Sequence, residues 1–84
     1  MGRAPKITPK KLAEKLTQIR RALGVKTLEE FIVLLDCPQA NLYPSSIYFY
    51  EQGKREPPLI VLLRYARLAG VAVDVLIDDE LDLP

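Results

Sequence analysis

The side chains best suited to chemistry fall in one stretch, Ser45-Ser46-Ile47-Tyr48-Phe49-Tyr50-Glu51-Gln52-Gly53-Lys54-Arg55-Glu56-Pro57-Pro58. Ser45, Ser46 and Tyr48 carry hydroxyls that can donate to or accept from a base edge or a phosphate. Phe49 can touch a methyl group but offers no hydrogen bond. Lys54 and Arg55 supply the positive charge that holds a phosphate. Catalysis has far less to work with. The chain has no His, and its lone Cys37 has no basic partner to activate it. No glycine-rich phosphate loop follows a strand, and the acids of residues 78–82 lie in a tail that builds no acid–base pair. We therefore expect a binding domain rather than an enzyme, with no metal or cofactor, because one Cys and no His exclude a zinc site.

These residues need a helix and a loop to place them. Pro44 holds the chain extended, and Pro44, Ser45 or Ser46 can start a helix. Ile47, Tyr50 and Glu51 then share one side at three- and four-residue spacing, while Tyr48 and Phe49 point elsewhere. Gly53 ends the helix, and Pro57-Pro58 block its continuation.

The rest of the chain supplies the scaffold. Thr8-Pro9 reads as a cap followed by proline at the first helical position. Leu12, Leu16, Ile19 and Leu23 make the apolar face of a first helix that stops at Gly24. Thr27-Leu28-Glu29-Glu30 is a capping box opening a second helix to about Leu35, with Phe31, Ile32 and Leu35 inward. Prolines bracket residues 36–44, so that link is not one helix, and Leu42 and Tyr43 are expected to tuck back over the core. Pro58 opens a fourth helix ending at Gly70, with Leu59, Leu62, Leu63, Ala66 and Ala69 inward and Tyr65 able to share that side. A short fifth helix runs from Val71 to about Ile77 and buries Val73, Leu76 and Ile77. Residues 1–7 form a loose basic arm and residues 78–84 an acidic, solvated tail. With no internal repeat, the expectation is an all-α orthogonal bundle.

Size and charge agree with one domain spanning 1–84. Eighty-four residues with 49% apolar and 27% charged side chains fit a single small globular core. Apolar runs reach only four to five residues, which argues against a membrane span. The lone cysteine points to a reducing cytoplasm. The net charge of +1 hides a strong asymmetry. Residues 1–26 hold eight bases and one acid, residues 27–53 four acids and no base, and residues from 68 onward five acids and no base. A basic amino end suits phosphate contact, and it equally suits a solvated helix face.

The register of Ile47, Tyr50, Glu51, Gly53, Lys54, Arg55 and Pro57 resembles the third helix of the Cro and lambda-repressor (XRE-type) helix-turn-helix family. The resemblance covers residues 12 to about 77. It implies a five-helix lambda-repressor-like domain that binds double-stranded DNA, with a link between the second and third helices about five residues longer than the family's tight turn. It also implies a structural salt bridge between Arg20 on the first helix and Glu51 at the end of the third. Carried over, the DNA-binding positions fall on Pro44, Ser45, Ser46, Tyr48 and Phe49, with Lys54 and Arg55 on the phosphate backbone. Leu28 stands where the family usually has a glutamine that contacts phosphate.

The departures concentrate on the DNA-facing side. Leu28, Val33, Leu34, Tyr48 and Phe49 are apolar or aromatic, and all lie on the second and third helices. Aromatics among aliphatics on one surface also describe a protein-binding hot spot. Two further readings therefore stand beside a DNA-binding regulator, dimeric on a two-fold operator. One is a natural or engineered module whose apolar face binds a protein partner. The other is a homodimer built on that face, with little or no DNA binding.

Overall fold

The computed structural model describes residues 8–84, so the arm expected over residues 1–7 lies outside the described residues. Five α-helices follow in order: α1 (Leu12–Ala22), α2 (Leu28–Leu35), α3 (Pro44–Glu51), α4 (Leu59–Ala69) and α5 (Val73–Ile77). A 3-10 turn, Pro38–Ala40, interrupts the link between α2 and α3, and the described residues contain no strand. The fold is all-α. α1 packs against α3, α4 and α5, and α2 packs against α3 and α4.

Each helix contributes a few apolar side chains to one shared core. Leu12, Leu16 and Ile19 come from α1, Phe31 and Leu35 from α2, Ile47 and Tyr50 from α3, and Leu76 from α5. The spacing of these residues, three or four apart, is what turns them to one side of each helix. Thr27 caps α2 by accepting the Glu30 amide at 3.1 Å. The long link contributes as well: Cys37 is buried, and Ala40 and Leu42 pack against the core. Tyr43 does not tuck in as expected. It is the extended residue that caps α3, and its ring stands in solvent.

The seam of α4 is rotated from the expected one. Val61, Leu62, Tyr65 and Ala66 are buried, whereas Leu59 is 82% exposed and Leu63 only half-buried. The large ring of Tyr65 sets this phase, because it meets the Phe31 ring at a centroid distance of 5.2 Å and a tilt of 58°. Among the described residues the Tyr65 hydroxyl has no hydrogen-bond partner, and burial pushes its phenol far above the ordinary tyrosine pKa. α5 starts at Val73 rather than Val71, and Ile77 turns outward while Leu76 takes the core position.

The acidic end keeps most of its side chains in solvent, but its backbone is tied to α1. Lys15, only 4% exposed, reaches from α1 and donates through Nζ to the carbonyls of Val75 at 2.7 Å, Asp78 at 2.9 Å and Leu81 at 2.6 Å. Leu83 lies against the core beyond this cage. Asp79 takes over the capping expected of Thr8. Its carboxylate accepts the amides of Lys10 and Lys11 at 2.9 and 3.0 Å, just before α1 begins. Those two amide bonds hold its carboxyl below the usual aspartate range.

Two substitutions test this interior. Lys15→Met keeps the length of the side chain but removes the ammonium from all three carbonyls, of which that of Asp78 keeps the Leu81 amide. We expect a loss of about 2–3 kcal/mol in urea unfolding, and an unchanged midpoint would show that the tail is not held by this cage. Tyr65→Phe removes a hydroxyl that nothing accepts, so stability should hold or rise by up to about 1 kcal/mol. A clear loss of stability on that change would mean that the hydroxyl is satisfied.

Candidate functional site

α3 is eight residues long and is positioned by its ends. At its start, the Ser46 hydroxyl accepts the Tyr43 amide at 3.2 Å while the Ser46 amide donates back to the Tyr43 carbonyl at 2.9 Å. Pro44 fills the first helical position, where a missing amide hydrogen costs nothing. Ser46 is thereby spent as a cap and buried, which takes it out of the expected DNA-contacting set. Ser45 remains exposed.

At its end, Arg20 of α1 grips Glu51 with a two-pronged fork, Nε to Oε2 at 2.6 Å and a terminal nitrogen to Oε1 at 2.9 Å. Facing this carboxylate raises the Arg20 pKa, so the guanidinium stays charged throughout the accessible range. The helix then closes on Gly53, whose φ of +72° is a conformation that favours glycine. The Gly53 amide donates to the Tyr50 carbonyl at 3.2 Å and the Lys54 amide to the Phe49 carbonyl at 3.0 Å. This paired closure is the Schellman arrangement, and it delivers Lys54 and Arg55 directly onto the surface beside α3.

The outer side of α3 presents Ser45, Tyr48 and Gln52, all exposed and spaced as one stripe. Tyr48 is 52% exposed and meets the half-buried Phe49 ring edge-on, with centroids 5.7 Å apart. The guanidinium of Arg55 lies over the Phe49 ring, 5.5 Å from its centroid. Lys54 and Arg55 also line a cleft of about 510 Å³, whose other walls include Thr8, Pro9, Lys10 and Tyr50. Burial there pushes the Tyr50 phenol up, against the opposing pull of nearby Arg55.

The structure thus gathers Tyr48, Phe49, Lys54 and Arg55, and it adds two residues that the sequence reading missed. Gln52 follows Tyr48 by four and Ser45 by seven residues, so helical spacing could have found it. Lys10 lies far from Lys54 in the chain, and only the packing of α1 against α3 brings them to one cleft. The apolar set divides. Leu28 is half-buried against the core, while Val33 is 75% and Leu34 45% exposed. The start of α2, where a phosphate contact would fall, carries Glu29 and Glu30, both exposed. No helix is long and apolar enough to cross a membrane, and among the described residues no three His, Cys, Asp or Glu side chains are grouped to hold a metal.

Comparison of the chain with protein-family models, with curated proteins and with solved structures finds no match, so the reading of this site rests on its own residues.

The Arg20–Glu51 fork should be the part of the site most sensitive to conservative change. Arg20→Lys preserves the charge but gives up the paired donors. We expect it to lower the unfolding free energy by about 1–2 kcal/mol with the same denaturant slope. A protein as stable as the original would show that the paired donors contribute no net stability.

Proposed function

We propose that this domain binds double-stranded DNA as a helix-turn-helix regulator of the Cro and lambda-repressor kind, with α3 set toward the major groove. The observation that carries the reading is the meeting of Lys10, Lys54 and Arg55 at one cleft at the C-terminal end of α3. Cations beside a helix are what phosphate contact requires, and the helix they adjoin is the element that reads base edges. On the exposed stripe of α3 Gln52 carries an amide, whose separate donor and acceptor atoms suit adenine in the major groove. Ser45 and Tyr48 each add a hydroxyl. Binding as a dimer on a two-fold operator belongs to the same proposal.

With Glu29 and Glu30 at the start of α2, phosphate contact falls to few cations. Modest affinity and a shallow dependence on salt follow. A second reading has its own support. Val33 and Leu34 leave apolar surface on α2, as a face for a protein partner or a second copy of the chain would.

Fluorescence anisotropy with a mixed-sequence duplex, titrated over salt, tests the first reading. Lys54→Ala and Arg55→Ala should each weaken binding and reduce the salt slope by about one. Absence of any salt-dependent affinity at low ionic strength would overturn it. Sedimentation of the protein and of Val33→Glu distinguishes the second: an apolar interface between copies predicts an associated species that the charge dissolves.

A further inference from the structure

The contacts of Arg55 give Phe49 a part that its place on the recognition helix does not suggest. At such a place a side chain is expected to touch the bases, yet a cation occupies one face of this ring. The Arg55 guanidinium stands 5.5 Å from its centroid, and the Tyr48 ring meets it edge-on at an interplanar angle of 66°. The backbone makes the same connection: the amides of Lys54 and Arg55 both donate to the Phe49 carbonyl, at 3.0 and 3.3 Å. One residue therefore anchors the main chain of Arg55 through its carbonyl and the side chain through its ring. Phe49 is half-buried and stands outside the core cluster, so burial in the core does not account for it.

We propose that Phe49 is a positioning residue for Arg55, holding the guanidinium beside α3 in the orientation that meets a phosphate. This rests on the DNA-binding reading and says how that surface works. A long exposed arginine loses rotamer freedom when it grips a phosphate, and a partner that has already narrowed its range reduces that loss. An aromatic face suits the task because it attracts the cation without accepting its N–H groups. All five donors stay available to the ligand. The ion pairs among the described residues, Lys11 with Asp82 and Arg20 with Glu51, leave Arg55 out. A carboxylate in place of Phe49 would hold the arginine more firmly, but it would neutralise the charge that the phosphate needs.

The test is a double-mutant cycle on duplex binding, using Phe49→Leu, Arg55→Ala and the pair together, with Phe49→Tyr as the conservative variant. Phe49→Leu should weaken binding about two- to fivefold, the scale of an exposed cation–π contact. It should add nothing once Arg55 is alanine, and Phe49→Tyr should bind as the original does. Additive losses, or a tyrosine variant as weak as leucine, would overturn the proposal. A second arm needs no DNA. In NMR spectra the Arg55 side-chain protons should carry ring-current shifts that persist in Phe49→Tyr and vanish in Phe49→Leu. Unshifted protons in the original protein would also overturn it. If the original protein binds no duplex at all, the DNA reading fails and the phosphate role of Arg55 goes with it. The NMR arm then decides alone whether Phe49 holds the guanidinium.

Discussion

The site depends on the grip of Arg20 on Glu51. α3 is too short to stand by itself, since an isolated helix of eight residues does not persist in water. It places just two large apolar side chains, Ile47 and Tyr50, in the core, which is little to define its direction. The fork supplies what is lacking. A guanidinium meeting a carboxylate at 2.6 and 2.9 Å tolerates little rotation, so the last turn of α3 is fixed relative to α1. Desolvation offsets much of the attraction in such a pair, and its value here is in angle more than in free energy. Because Glu51 lies two residues before Gly53, the same grip sets where Lys54 and Arg55 emerge.

α1 is in turn stabilised from the far end of the chain. The carboxylate of Asp79 satisfies two backbone amides ahead of the helix, where negative charge is favoured. Three carbonyls close around the Lys15 ammonium. An ammonium has three donors and each finds an acceptor, so a lysine can be buried there without a carboxylate at its tip. That arrangement links the acidic end to the helix that carries Arg20. Asp79, α1 and Glu51 are thereby linked by polar contacts over one core. The cap on Asp79 is also a pH-sensitive part of that linkage. Its carboxyl is held below the ordinary value, so its contribution is present above the usual aspartate pKa, about 3.9, and is lost as pH falls through the lowered one.

What could be read from the sequence was local. Thr27 with Glu30, Pro44 ahead of α3, and Gly53 after it act through neighbours in the chain, and their types announced the ends of α2 and α3. The period of Leu12, Leu16 and Ile19 did the same for the core face of α1. What escaped was contact over distance. Thr8-Pro9 is a sound capping pair by type, yet the cap comes from Asp79, which nothing local ties to Lys10. Lys15 lies between Leu12, Leu16 and Ile19 and looks like a solvent-facing lysine. Only the return of the tail supplies its three carbonyls. On α4 the run Leu59-Ile60-Val61-Leu62-Leu63 is apolar at every position, so periodicity could not choose a seam. The packing of Tyr65 on Phe31 chose it.

The same distinction bears on how the surface of α3 should be understood. By residue type, Tyr48 and Phe49 are a hydrophobic pair on a helix proposed to read DNA, and that would favour a protein partner. By contact, the two differ. Tyr48 stands half in solvent with its hydroxyl able to hydrogen-bond, while Phe49 is covered by a cation. A ring with a guanidinium on its face is no longer a free apolar anchor. A partner seeking one would have to displace the arginine and give up its interaction with the ring. Of the apolar face expected on α2 and α3, Val33 and Leu34 are then the aliphatic side chains left exposed for protein contact. On α3 the aromatic character is compatible with the proposed phosphate-facing site, because the Phe49 ring lies under the Arg55 guanidinium and not free in solvent.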